Sequence, residues 1–136
     1  MPNDNKKKIY VIDDDETHLI TAELFLKDEY ELRKAISGQE ALDCINNNEF
    51  IPSLVLLDLL MPKMDGWEVY KRLREMEPLK DVPIAFLTSL EDAAEQKRAM
   101  KMGATDYIMK PYNMTELRTR VKEVFKKHET KKPIKK

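Results

Sequence analysis

Four short apolar runs are spaced through the chain: Ile9 to Ile12, Leu54 to Leu57, Ile84 to Leu87 and Tyr107 to Met109. Each is too short to make a helix, and the first three are almost continuously hydrophobic. That pattern suits strands covered on both faces better than strands with one face in water. A fifth segment, Tyr30 to Ala35, alternates in character and reads as an edge strand.

Helix signals fill the intervals. Ser37 with Glu40, Asp65 with Glu68 and Asn113 with Glu116 are spaced as capping boxes. The last precedes the apolar series Leu117, Val121, Val124, Phe125. Gly103 stands where a helix starting near Glu91 should stop. Pro52, Pro83 and Pro111 mark loops or strand edges. Strand and helix therefore alternate five times. This predicts a doubly wound α/β sandwich with a five-stranded parallel sheet, for which the flavodoxin-like order 2-1-3-4-5 is the prior expectation.

With 136 residues the chain is one domain with room for a core. Residues 1–7 read as a loose lead-in, 8–126 as the domain and 127–136 as a Lys-rich tail. The tail fits a fraying helix end, a linker to a domain outside this chain, or a contact for an anionic partner; charged termini favour the first. The 24 basic and 25 acidic residues nearly cancel, which argues against a nucleic-acid or membrane binder. Cys44 is the one cysteine, so no internal disulfide forms. No apolar run approaches the roughly 18 residues of a membrane span. A cytoplasmic location is expected.

The chemistry lies where the polar residues fall. Asp13 and Asp14 end the first strand, Asp58 the third, Thr88 the fourth and Lys110 the fifth. In a parallel sheet these ends share one edge, and ligands bind beyond it at the switch point, here between the first and third strands. Three carboxylates in one crevice resist ionisation unless a cation compensates them. Hard oxygen ligands open to water suit Mg²⁺. A carboxylate nucleophile, a hydroxyl and an ammonium complete a set fitted to phosphoryl transfer, where positioning and charge neutralisation dominate. The reading requires the carboxylates to converge within a few ångströms, with Asp58 accessible to solvent. Each residue alone could be an ordinary loop residue, and Asp15 fits as a helix cap. What carries the argument is that all of them share one edge.

These residues resemble the response-regulator receiver domain of two-component signalling. The segments YVIDDDE, LVLLDLLMPKMDG, IAFLTS and GATDYIMKPY carry the resemblance, from about Lys8 to Phe125. It implies that Asp58 accepts the phosphoryl group, that Asp14 ligates Mg²⁺ directly and that Asp13 does so mainly through water. The Leu60 backbone carbonyl joins the metal, while Thr88 and Lys110 contact the phosphoryl group. It also implies a cis Lys110–Pro111 peptide and a switch role for Tyr107, which could otherwise be a packing residue with its hydroxyl in water. A histidine kinase or histidine phosphotransfer protein is the implied donor. The implied product is a protein-binding face, on the fourth helix, fifth strand and fifth helix, that changes preference.

The implied domain catalyses its own phosphorylation and slow dephosphorylation, without being an enzyme in the usual sense. Leu60 and Leu90, two residues after Asp58 and Thr88, cannot orient a hydrolytic water, which implies a long-lived phosphate. No output module is evident, so output is expected through protein contacts or a domain outside this chain, without direct DNA binding. Dimerisation through the same face stays open.

Two rivals remain. DDDET also fits the D-x-D-x-T motif of haloacid-dehalogenase-type phosphatases, with Asp13 as nucleophile and Asp15 as acid/base. A degenerate receiver serving only as an interaction module is the other. Trp67 is given no role. His18 and His128 lack a partner at metal-ligand spacing and are read as bystanders.

Overall fold

The computed structural model describes residues 6–61 and 64–131. Five parallel strands, β1 (Lys8–Ile12), β2 (Glu31–Ala35), β3 (Leu54–Leu57), β4 (Ile84–Thr88) and β5 (Asp106–Met109), form one sheet in the order β2-β1-β3-β4-β5. Five helices connect and follow them: α1 (Glu16–Leu26), α2 (Gly38–Asn46), α3 (Gly66–Arg74), α4 (Ala93–Lys101) and α5 (Met114–Lys131). The expected doubly wound α/β architecture is therefore present. A short 3-10 turn, Glu77–Leu79, was not anticipated.

Side-chain alternation along the strands builds two cores. Tyr10, Ile12, Val55, Leu57, Ile84, Phe86 and Tyr107 face one way and pack against α2, α3 and Ala99 of α4. Ile9, Val11, Leu54, Leu56, Ala85, Leu87 and Ile108 face the other way, against Leu19, Ala22 and Leu26 of α1 and Leu117, Val121 and Val124 of α5. This explains the near-continuous apolar runs: neither face of the central strands meets water. Each fully buried Leu, Ile or Val contributes about 1.5–3 kcal/mol. In β2, by contrast, only Ala35 is buried, as suits an edge.

The caps follow the sequence. Asp15 Oδ1 accepts from Thr17 N at 2.9 Å, Ser37 Oγ from Glu40 N at 3.1 Å, Asp65 Oδ1 from Glu68 N at 3.0 Å and Asn113 Oδ1 from Glu116 N at 2.7 Å. The reciprocal half of the box is displaced at α2, where Glu40 accepts from Ile36 N. At α3 it is absent, because Glu68 pairs with Arg72 instead. Gly103 follows α4 with φ +104°, a left-handed conformation that favours glycine. No glycine or proline interrupts the chain after Asn113 until Pro133, and α5 runs to Lys131, into the segment read as a fraying helix end. The ends of the lead-in and tail, residues 1–5 and 132–136, lie outside the described residues.

Candidate functional site

Strand register places the acidic residues. Ile12 pairs with Leu57, so Asp13 and Asp58 each stand one residue beyond a matched pair. The Asp58 N–H donates to Ile12 O at 3.0 Å, and the Asp13 N–H donates to Ala35 O at 3.1 Å, which fixes both backbones. Asp13, Asp14 and Asp58 each offer a carboxylate oxygen within 4.8 Å of the others. The convergence that the sequence requires is present. Asp58 is more recessed than expected, keeping 6% of its surface, and Asp13 keeps 2%. Asp14 is exposed and forms the mouth. The site is a crevice with a buried floor and an open acidic rim.

Lys110 arrives by the same logic. Thr88 pairs with Met109, so Lys110 stands one residue past the β4–β5 ladder, and its N–H donates to Thr88 O at 2.9 Å. The Lys110–Pro111 peptide is cis. The Lys110 ammonium donates to Asp13 Oδ2 and lies 3.4 Å from Asp58 Oδ2. Burial raises the Asp13 carboxyl above its ordinary value, against the pull of Lys110 and of the Asp15 N–H, and the Asp58 charge adds to the rise. At Asp13, burial thus outweighs the single ammonium.

Asp58 Oδ1 accepts from Leu60 N at 3.2 Å, which orients the carboxylate. Leu60 itself is half exposed. Pro62 and Lys63, in the loop that follows, lie outside the described residues. Thr88 is fully buried at the end of β4, and its Oγ1 accepts from Leu90 N at 3.3 Å. Leu90 packs against the larger core, so its side chain is partly committed there.

Tyr107 does not hold its hydroxyl in water. The ring is 3% exposed, and its O–H donates to Leu90 O at 2.8 Å, tying β5 to the loop after β4. Burial, followed by the charges of Glu95, Asp92 and Asp58, raises its pKa. Trp67 lies edge-on to Phe86, with the Arg98 guanidinium 4.3 Å from its ring centre, so it joins α3 to α4.

One residue read as a bystander lies against the crevice. His18 Nδ1 stands 2.8 Å from the Lys110 ammonium and 3.4 Å from Asp13 Oδ2. Sequence spacing alone does not reveal it, because the partner is Lys110, far along the chain. The one clue was its place on α1, a single turn past the acidic pair. Asp15, the acid/base of the phosphatase reading, spends a carboxylate oxygen capping α1.

Comparison with known proteins accords with this geometry. The family model described as the response regulator receiver domain matches residues 9–122. The transcriptional regulatory protein CrdR of Helicobacter pylori is 36% identical over 121 residues, 88% of this chain and 55% of its own length. The alkaline phosphatase synthesis transcriptional regulatory protein PhoP of Bacillus subtilis is 34% identical over 128 residues, 93% of this chain and 52% of its own. The chain spans about half the length of these curated relatives. Among solved structures, the chemotaxis protein CheY4 of Vibrio cholerae aligns with TM-score 0.80 and 28% identity, covering 88% of this chain and 98% of its own. These matches do not favour the phosphatase or the degenerate module. Sheet order, the carboxylate crevice with its lysine and the family match across the fold agree: the chain belongs to the response regulator receiver domain family.

Proposed function

We propose that this receiver domain accepts a phosphoryl group on Asp58 and uses the modified state to change a protein-binding face. The observation that carries the reading is the set of strand-end carboxylates, Asp13, Asp14 and Asp58, with the Lys110 ammonium among them. Asp13, Asp14 and Asp58 would hold a Mg²⁺ ion, with the Leu60 carbonyl as a further oxygen; an all-oxygen set with excess negative charge fits this hard cation. Bound there, the ion supplies charge neutralisation for the oxygens of the transferring group.

The protein's own groups do the rest. An Asp58 oxygen forms the new O–P bond. The N–P bond of a donor phosphohistidine breaks, and the imidazole leaves with the electron pair and regains a proton. Lys110 offers its ammonium to the phosphoryl oxygens, and Thr88 offers its hydroxyl. The donor class is a histidine kinase or a histidine phosphotransfer protein. The aspartyl phosphate carries roughly −1.5 to −2 charges where the carboxylate carried one. Thr88 and Tyr107 act as the switch pair: Thr88 Oγ1 bonds Leu90 N and Tyr107 O–H bonds Leu90 O, so both report to the same peptide segment. A change in either biases the α4–β5–α5 face between alternative states.

The test is incubation with phosphoramidate and Mg²⁺, followed by intact mass. The adduct should form on the wild type and vanish in Asp58→Asn. Loss in Asp13→Asn with retention in Asp58→Asn would overturn the assignment. The lifetime of the phosphate is proposed to be long, because Leu60 offers no hydrogen bond to an attacking water. Leu60→Asn should shorten the adduct's half-life several-fold, and no acceleration would count against the idea. Leu60 suits this test better than Leu90, being half exposed instead of packed on the core.

A further inference from the structure

Lys110 carries a compact charge on a flexible stem, so its acceptors decide where its ammonium sits. It has three N–H donors and nothing to accept with. Its side chain is 7% exposed, so each donor needs a partner. Three partners surround it: Asp13 Oδ2, His18 Nδ1 at 2.8 Å and Asp58 Oδ2 at 3.4 Å. Asp58 is farther from it than His18.

The chemistry of the contact fixes the form of the imidazole. An ammonium can only donate, so a nitrogen 2.8 Å away must present its lone pair. As a hydrogen bond, the contact calls for the Nε2–H tautomer of His18. That nitrogen faces the Asp15 carboxylate, with Oδ2 at 3.7 Å. His18 and Lys110 also share one cleft of about 420 Å³ with Thr21, Ser89, Pro111 and Tyr112. At 42% side-chain exposure, His18 forms part of the outer wall of the site.

We propose that His18 is a positioning residue for phosphoryl transfer: its Nδ1 lone pair holds the Lys110 ammonium toward α1, beside Asp58 without closing on it. A lysine tightly paired with Asp58 would occupy the oxygen that must attack phosphorus. Drawn instead toward Asp13 and His18, it remains near enough to meet the arriving phosphoryl oxygens. The proposal rests on the reading of Asp58 as the acceptor. It adds a residue from α1 to a site otherwise built from strand ends.

The variants His18→Leu and His18→Asn separate an acceptor role from a packing role. The Asn side-chain oxygen takes the place of Nδ1, whereas Leu has no acceptor. With phosphoramidate and Mg²⁺, and no protein donor, His18→Leu should take up phosphoryl roughly three- to tenfold more slowly, while His18→Asn recovers most of the wild-type rate. Long-range ¹⁵N–¹H spectra of the wild type, without Mg²⁺ or phosphodonor, should show the Nε2–H tautomer at His18. Replacing Lys110 with Met should remove that preference. An unchanged rate in His18→Leu, an Asn variant no faster than Leu, or an Nδ1–H imidazole in the wild type would each overturn the proposal. Should the wild type form no adduct at all, the Asp58 reading falls and takes this role with it. The tautomer would still show whether the His18–Lys110 contact exists.

Discussion

Single residues decide how closely the pieces of this site can approach. A Cβ built on Gly66 would lie 2.4 Å from Asp58 O and 2.5 Å from Leu59 Cα, both backbone atoms that cannot swing aside. The start of α3 is thereby pressed against the Asp58 peptide. Gly66→Ala should cost about 1–3 kcal/mol, as overpacking does, read as a lower urea midpoint with unchanged slope. An unaltered midpoint would show that the loop yields freely. Asp106 shows a different kind of dependence. Burial alone would raise its carboxyl, but two hydrogen bonds from Arg120, the Tyr107 N–H and the guanidinium charge outweigh burial and lower it. A depressed acid stabilises the fold above its unfolded value, near pH 3.9, and loses that contribution as pH falls toward the folded value below. Asp106→Asn should therefore cost about 1–2 kcal/mol at pH 7, allowing for the solvent that still reaches Arg120. The gap to wild type should close as the pH drops below about 4. A gap that persisted at low pH would mean shape matters there more than charge.

Among the α-helices, α4 is the least anchored. Its single buried residue is Ala99, whereas α3 buries Gly66, Val69, Tyr70 and Leu73. Few apolar contacts imply a low free energy of local opening. What holds its start is Asp92, whose carboxylate accepts from Ala94 N at 2.8 Å. Removing that cap in Asp92→Ala should cost about 1 kcal/mol, confined to α4. Amide exchange should quicken in Ala93–Lys101 and stay unchanged in α1 and α5. Uniform acceleration across all helices would show that α4 does not open independently. The helix borders the loop that Tyr107 grips through Leu90 O, so a loosely held α4 is the element best able to change when that grip changes.

Across the whole molecule, what could be read in the sequence was what depends on period and spacing. Apolar runs at Ile9, Leu54 and Ile84 declared strands covered on both faces, and the strand ends named Asp13, Asp14, Asp58, Thr88 and Lys110 because a parallel sheet puts such ends on one edge. Contacts between side chains remote in the chain were not legible. His18 carries no signal of its meeting with Lys110, and the packing of Leu90 on the core follows from a loop path that no pattern encodes. The Tyr107 hydroxyl bond to Leu90 O is of the same kind. The run of α5 into the Lys-rich segment accords with the absence of any glycine or proline between Asn113 and Pro133.

The register of β1 against β3 carries a mechanical consequence. Because Asp13 and Asp58 both stand one residue past the Ile12–Leu57 pair, a slip of β1 by a single residue would send its side chains to the opposite layer and disrupt both cores. The chassis under the carboxylates therefore cannot be tuned by degrees. On the proposed switch, the expected change lies in the span from Thr88 to α4, while the frame beneath stays still.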